Sequence, residues 1–170
     1  MHGYHERPYR GKVPRMSTLK EILGPPTTRK QVVVDCERII EEEVASKGLM
    51  GIPIKAAYAV VKAIKPGFIP EVIDGLLDDF ADRLDPFYQA AVAKNEPVPA
   101  YMNARAGEVA EALLGITDQR AQRAKNHIVR GAYEKLRPMG KKHTEAAIPR
   151  VSRMVAKYAS AAAAVATPVT

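Results

Sequence analysis

Apolar residues recur every three or four positions through most of this chain, and glycine and proline interrupt the pattern at intervals. In the segment that follows Thr28, for example, Val33, Cys36, Ile40 and Val44 fall at helical spacing. A strand with one buried face would instead alternate apolar and polar residues, and the 170-residue sequence contains no such alternation. The sequence therefore predicts an all-α fold.

Glycine, proline and N-cap residues divide the periodic pattern into separate helices. The predicted helices span residues 19–23, 28–48, 53–65, 70–94 (with a new cap or a kink at Asp85-Pro86), 103–114, 117–136 and 149–164. Gly115 and Pro138 mark predicted helix ends, and residues 139–144 are a predicted basic linker. In the segment 53–65 the apolar side chains cover more than half of the helix circumference. We therefore predict a compact bundle of six or seven helices, with this helix buried at its centre.

The chain length suits one domain with short extensions. Residues 1–16 are a predicted flexible and basic N-terminal arm, because glycine and proline break them up and no periodicity is present. Thr18 and Glu21 have the spacing of a capping box, which marks the start of the first helix. We predict a single helical domain over residues 17–160, followed by a frayed, alanine-rich tail at 161–170.

Cysteine and hydropathy place further limits on the class of protein. Cys36 is the only cysteine, so a disulfide scaffold and a multi-cysteine zinc site are excluded. Because it lies within an apolar stripe, we predict that Cys36 is a small core residue. The N-terminal residues lack the apolar core of a secretory signal, and no stretch has the ~20 apolar residues that span a bilayer. A cytoplasmic location without a transmembrane segment is therefore expected.

Charge is unevenly distributed along the chain, whose formal net charge is +7. Residues 1–30 carry seven basic and two acidic side chains, residues 31–119 carry eight and fifteen, and residues 120–157 carry eleven and two. The acidic middle is thus flanked by two basic segments. Such polarity points to anionic partners for the basic ends, or to neutralisation of one segment by another.

The last basic segment provides the leading functional hypothesis. Its charged residues fall on one face of each predicted helix, away from the apolar positions. The candidate polyanion-binding residues are Arg120, Arg123, Arg130, Arg137, Lys141, Lys142, Arg150, Arg153 and Lys157. They would bind nucleic acid or an acidic protein. Three alternatives stay open: an ordinary solvated face, neutralisation by the acidic segment within the fold or in a homo-oligomer, and peripheral binding to an anionic membrane.

A second hypothesis rests on the segment Asp78-Asp79-Phe80-Ala81-Asp82, which resembles the D-D-x-x-D motif of prenyl-chain synthases. In that motif, carboxylates one helical turn apart hold magnesium ions that bridge phosphate oxygens. Asp78, Asp79 and Asp82 are therefore candidate metal ligands of a magnesium-dependent enzyme acting on diphosphate substrates. The simpler interpretation is the solvated acidic face of an amphipathic helix, because a second facing acidic motif is missing from the sequence.

Other catalytic signatures are missing from the sequence. No serine lies in a G-x-S-x-G turn, and no G-x-x-x-x-G-K-[ST] loop is present to hold phosphates. We therefore predict a non-enzymatic protein without a cofactor, acting as a surface-interaction module.

Four sequence segments carry a resemblance to a known family. They are Ser46-Lys47-Gly48-Leu49, residues 55–62 (KAAYAVVK), Lys65-Pro66-Gly67-Phe68 and residues 74–88, which end in Asp85-Pro86-Phe87-Tyr88. Together they resemble an uncharacterised family of small helical bacterial proteins, common in actinobacteria, over about residues 17–90. The resemblance implies a helical fold and a bacterial origin, and it supplies no catalytic or binding residues.

Overall fold

Seven α-helices and one short 3-10 helix make up the computed structural model, which describes residues 16–166 apart from the side chains of residues 49 and 50. The helices are α1 (Leu19–Leu23), α2 (Pro26–Ala45), α3 (Ile52–Lys62), α4 (Phe68–Ala93), α5 (Val98–Asn103), α6 (Ala106–Arg123) and α7 (His127–Ala166), and the 3-10 helix is Gly48–Gly51. No strand occurs in the described part of the chain. The predicted all-α class is confirmed.

The predicted capping box is present at the start of α1. The Thr18 hydroxyl accepts a hydrogen bond from the Glu21 backbone N–H at 3.2 Å, and the Glu21 carboxylate accepts one from the Thr18 N–H at 2.8 Å. A five-residue helix is too short to be stable alone. Its Leu19 and Leu23 side chains are buried, and the Leu19 N–H donates to Asp85 on α4 at 2.8 Å. Packing against the longer helices therefore fixes α1.

Two helix boundaries predicted in the C-terminal half are wrong. Gly115 lies inside α6, and the predicted linker 139–144 lies inside the 40-residue α7, which also contains Pro138 and Pro149. The helix break falls instead at residues 124–126, where Ala124 is extended and the Asn126 carboxamide accepts the Ile128 N–H at 2.9 Å. Packing of α7 against α3, α5 and α6 offsets the hydrogen bonds that its prolines lack.

The core lies where α1, α2, α4 and α7 meet. Fully buried side chains from these helices include Leu19, Val32, Ile148 and Val155, and α4 adds a buried stripe along its inner face. The members of that stripe are Ile69, Ile73, Leu77, Ala81 and Leu84. Pro86 interrupts the hydrogen bonding of α4 without ending the helix.

The predicted central position of the helix near residues 53–65 is wrong. Only Ile54 and Ala57 of α3 are buried, whereas Ile52 and Val60 are 57% and 49% exposed. The apolar residues of α3 are spread around most of the helix circumference and do not mark one buried face. Their number therefore suggested that the helix is buried on all sides. In the structure α3 packs mainly against α7 and leaves its other side open to solvent.

The chain ends fall partly outside the description. Helix α7 continues through the first residues of the predicted frayed tail and ends at Ala166. Residues 167–170 and residues 1–15 of the predicted arm lie outside the described residues. Among the described helices, none combines the length and the apolar character needed to cross a membrane.

Candidate functional site

The predicted basic face divides into cations that are paired with acidic residues and cations that are not. Five of the nine candidates form ion pairs within the protein: Arg120 with Asp79, Arg137 with Asp118, Lys141 with Glu111 and Glu145, Arg150 with Glu42 and Glu43, and Lys157 with Asp35. The other four, Arg123, Arg130, Lys142 and Arg153, form no ion pair with any described residue. The acidic middle of the chain therefore neutralises part of the basic end within the fold.

One group of paired charges joins α2 to α7, and we call it the α2–α7 junction (Asp35, Glu42, Glu43, Arg150 and Lys157). The Asp35 carboxylate accepts hydrogen bonds from Lys157 Nζ and Tyr158 OH, both at 2.8 Å, and from Arg38 at 3.2 Å. Partial burial raises the pKa of Asp35, but these three hydrogen bonds outweigh it and lower that pKa to about 2. Asp35 therefore stays charged and tied to α7 at neutral pH.

The second half of the junction surrounds a buried carboxylate. Glu43 is only 8% exposed, and it accepts hydrogen bonds from Lys47 Nζ at 2.8 Å and from an Arg150 Nη1. Arg150 also donates to Glu42 through Nε at 3.2 Å. A buried carboxylate requires such partners, because water no longer solvates it. These ion pairs therefore hold α2 against α7, and the charges in them are not available to a ligand.

A separate ionic cluster holds α6 against α7. Asp118 accepts hydrogen bonds from Arg137 Nε at 2.7 Å and Nη2 at 3.0 Å, and from the Tyr133 hydroxyl at 2.5 Å. Burial and the Asp118 carboxylate raise the pKa of Tyr133, while Arg137 holds the pKa of Asp118 below its usual value. The cluster forms one wall of an open cavity of about 470 Å³, which the unpaired Arg130 also lines.

The unpaired cations of α7 form a row that the sequence analysis identified only in part. Lys135, Lys142 and Arg153 are exposed and have no ion-pair partner among the described residues. At 100° per residue they lie within about 20° of one another, and 1.5 Å per residue spreads them over about 27 Å. We call them the α7 stripe. Lys135 was missed because the predicted helix ends at residue 136 and Lys142 falls in the linker predicted after it, although their seven-residue spacing was a usable signal.

Three further unpaired cations lie close to the turn between α6 and α7. Arg123 ends α6, Lys125 lies in the turn and Arg130 lies in the first turn of α7. All three are exposed. We call them the corner cations.

The candidate metal ligands on α4 are engaged by three different helices. Asp78 pairs with Arg29 of α2 at 2.7 Å, Asp79 with Arg120 of α6 at 2.8 Å, and Asp82 with Lys20 of α1 at 3.1 Å. The described residues contain no group of three or more His, Cys, Asp and Glu side chains that could hold a metal ion. The geometry thus gives the magnesium alternative no support, and the acidic face of α4 attaches neighbouring helices instead.

Cys36 lies against the core, as predicted. Its Sγ is 3.7 Å from the Met154 Sδ of α7, and burial raises the pKa of the thiol to about 12. A reactive thiolate is therefore not expected at this position.

The geometry describes a small all-helical protein whose acidic middle pairs with part of its basic C-terminal segment. The chain belongs to a family of unknown function, DUF6918, whose model matches residues 19–159. The match agrees with the resemblance to an uncharacterised family. Searches of curated proteins and of solved structures give no match to this chain.

Proposed function

We propose that this protein is a non-enzymatic interaction module that binds nucleic acid through the α7 stripe. The observation that carries the proposal is the division of the basic segment. Five of the nine predicted cations are paired with acidic residues, whereas the three exposed cations of the stripe have no ion-pair partner in the described part of the chain.

The stripe cations lie about 10 and 16 Å apart along the helix, so their mutual repulsion in the free protein is weak and is felt mainly at low salt. Residues 120–157 contain two acidic side chains, Glu134 and Glu145, and Glu145 contacts Lys141 rather than the stripe. A bound polyanion would relieve this repulsion and release its own condensed counterions. The stripe is therefore more than the mixed-sign surface that solvated helices usually carry.

The shape of the row favours nucleic acid over an acidic protein. The stripe spans about 27 Å of one continuous helix at 1.5 Å per residue. Duplex DNA offers one negative charge per ~1.7 Å of helix axis, so it supplies phosphates along the whole row without requiring a particular sequence of side chains. Recognition would thus rest on the phosphate backbone and would depend little on base sequence.

The test is the binding of a labelled duplex DNA, followed by fluorescence anisotropy across a series of salt concentrations. Each phosphate contact contributes about −0.9 to the slope of log K against log salt. Replacing the stripe by Lys135→Gln, Lys142→Gln and Arg153→Gln should therefore reduce the magnitude of this slope by about 3. A matched control, Lys30→Gln, Arg83→Gln and Lys94→Gln, removes the same charges from exposed residues without ion pairs elsewhere on the surface.

We expect the stripe variant to lose most of its affinity and the control to lose little. Equal losses in the two variants would show that net charge alone governs binding, and undetectable binding at low salt would refute the proposal. Binding to anionic vesicles but not to duplex DNA would instead favour the membrane alternative, and tight binding of a single-stranded polymer alone would restrict the class of nucleic acid.

A further inference from the structure

Helix α3 presents an apolar face to solvent, which is unusual for a helix of a water-soluble bundle. Ile52 and Val60 are 57% and 49% exposed, and Ala56, Ala59 and Ala63 are exposed between and beside them. At 100° per residue these five positions fall within a sector of about 100°. An apolar sector that the protein leaves open is a typical feature of an interaction surface.

Basic residues line one edge of this face. Lys55 and Lys62 lie on the same side of the sector, and residues 44–70 contain no acidic residue. Lys62 Nζ pairs with Glu41 of α2 at 2.6 Å, whereas Lys55 forms no ion pair with a described residue. This edge of α3 therefore carries the unpaired Lys55 and, close to Lys62, the exposed carboxylate of Glu41.

Large and small side chains alternate along one row of the face. The row is Ile52, Ala56, Val60 and Ala63, in which each large residue is followed, three or four positions later, by a small one, and Ala59 adds a further small residue beside the row. If a second α3 packs antiparallel about a two-fold axis near residue 58, Ile52 falls opposite the second copy's Ala63 and Val60 opposite its Ala56. Each large side chain then packs against an alanine of the other copy, as close helix packing requires.

We propose that α3 is the contact surface of a symmetric antiparallel dimer, with a second copy of this chain as its partner. In a two-fold antiparallel pair the same edges of the two helices face each other. Lys55 of one copy then lies close to the Lys62–Glu41 pair of the other, where Glu41 can accept a hydrogen bond from both lysines. Closed two-fold dimers are also the commonest form of oligomer.

The alternation of sizes favours a second copy over a membrane. Alanine contributes little to insertion into lipid, because it buries little apolar area. It does, however, allow two helices to approach closely. Helix α3 is 11 residues long, or about 16 Å, so the interface is smaller than that of a standard stable complex. We therefore expect a weak dimer that forms in the micromolar to millimolar range.

The first test is sedimentation velocity over a range of protein concentrations. The unmodified chain should show a concentration-dependent shift from monomer to dimer. Val60→Glu should abolish that shift, because it places a carboxylate inside the contact. Val34→Glu is the matched control, since Val34 is an exposed valine on α2, 62% exposed, and its substitution should leave dimerisation unchanged.

The second test exchanges the sizes of opposed residues. Ala56→Val alone brings two valines into collision, and Val60→Ala alone leaves a gap, so each should weaken the dimer by at least about tenfold. The double variant restores one large and one small residue at each contact and should recover dimerisation. Thermal unfolding of every variant confirms that the fold is intact.

The proposal is overturned if the unmodified chain stays monomeric up to millimolar concentration. It is also overturned if Val60→Glu still dimerises, if Val34→Glu dissociates equally, or if the double exchange fails to rescue the single variants. Because these experiments contain no nucleic acid, they are independent of the proposed binding function.

Discussion

The α2–α7 junction and the α7 stripe use the same residue types on the same helix for opposite purposes. At the junction, Arg150 and Lys157 meet carboxylates of α2. Along the stripe, Lys142 and Arg153 meet none among the described residues. The difference lies in whether an acidic side chain comes within ion-pair distance, because Arg153 lines the same cavity as Asp35 and Glu42 but pairs with neither. A basic segment of sequence is therefore not equivalent to a basic surface.

The comparison also separates contributions to stability from contributions to binding. The Asp35 and Glu43 carboxylates at the junction are largely buried and hydrogen bonded, so the loss of a partner leaves them less well satisfied. Charges on the stripe are exposed, so their removal changes little in the folded protein. The following predictions test this contrast, in order of decreasing effect.

The largest effect is expected on the rate of thiol labelling at Cys36, which packs beside the junction. With a pKa of about 12 in place of 9.0, its thiolate fraction at pH 8 falls about a thousandfold. Labelling by a thiol reagent should therefore be at least ~100-fold slower in the folded protein than in urea. Since Cys36 is the only cysteine, the reaction reports this site alone. Equal rates in the two states would show that α2 and α7 are not closely packed here.

Glu43→Gln should cause the largest loss of folding stability among the substitutions. The substitution keeps the side-chain volume but leaves Arg150 and Lys47 without their buried carboxylate. We expect the free energy of unfolding to fall by about 2–3 kcal/mol, below the full value for a buried pair because Arg150 is 33% exposed. Urea titration monitored by circular dichroism measures this quantity.

Glu111→Gln provides the control for that measurement. Its ion pair with Lys141 is about half exposed at both side chains, so its removal should cost less than ~1 kcal/mol. If the free energy of unfolding falls equally in Glu43→Gln and Glu111→Gln, then burial does not make the ion pairs of the junction stronger than those at the surface.

Asp35→Asn should produce a smaller loss that depends on pH. The pKa of Asp35 is about 2 in the folded protein, below the ordinary aspartate value of 3.8. Because folding lowers its pKa, the charged Asp35 stabilises the fold at any pH above its pKa in the unfolded chain. This contribution disappears as the pH falls through 2. We expect the variant to lose about 1–2 kcal/mol at pH 6, and the difference from the unmodified protein to shrink between pH 4 and pH 2.

The control for the pH dependence is Glu96→Gln, because Glu96 is exposed and forms no ion pair with a described residue. Its stability difference should be small and flat over the same range. A gap between Asp35→Asn and the unmodified protein that persists at pH 2 would mean that hydrogen-bond geometry, and not the charge of Asp35, holds α7.

Local features of the fold were predictable from the sequence. Capping chemistry at Thr18 defines the start of α1 without reference to the rest of the chain. The apolar stripe of α4 likewise reports its inner face through simple periodicity. Errors arose where tertiary packing overrides local preference: α7 continues through Pro138, and α3 lies at the surface although its composition suggests the centre.

The candidate site was predictable only in part, for a related reason. Helical periodicity places Arg150, Arg153 and Lys157 on a polar face, but it contains no information on which of them meets an acid. The pairs Asp35–Lys157 and Glu43–Arg150 join residues that are more than 100 positions apart in the chain. Only the fold brings these partners together, so the separation into paired and free cations required the structure.

The smallest effect is expected for the α7 stripe itself. The triple substitution Lys135→Gln, Lys142→Gln and Arg153→Gln should change the free energy of unfolding by no more than ~0.5 kcal/mol, because these exposed side chains have no ionic partner to lose. A slight gain is expected at low salt, where mutual repulsion is least screened. Urea titration at two salt concentrations measures both effects.

Arg150→Gln is the counterpart from the junction, on the same helix and with the same type of substitution as Arg153→Gln. It should destabilise the protein, because the buried Glu43 then keeps only one of its two cationic partners, Lys47. A stripe variant as unstable as Arg150→Gln would place Lys135, Lys142 and Arg153 among the structural charges. A stripe variant that is fully stable but no longer binds DNA would separate the two roles of α7 within one helix.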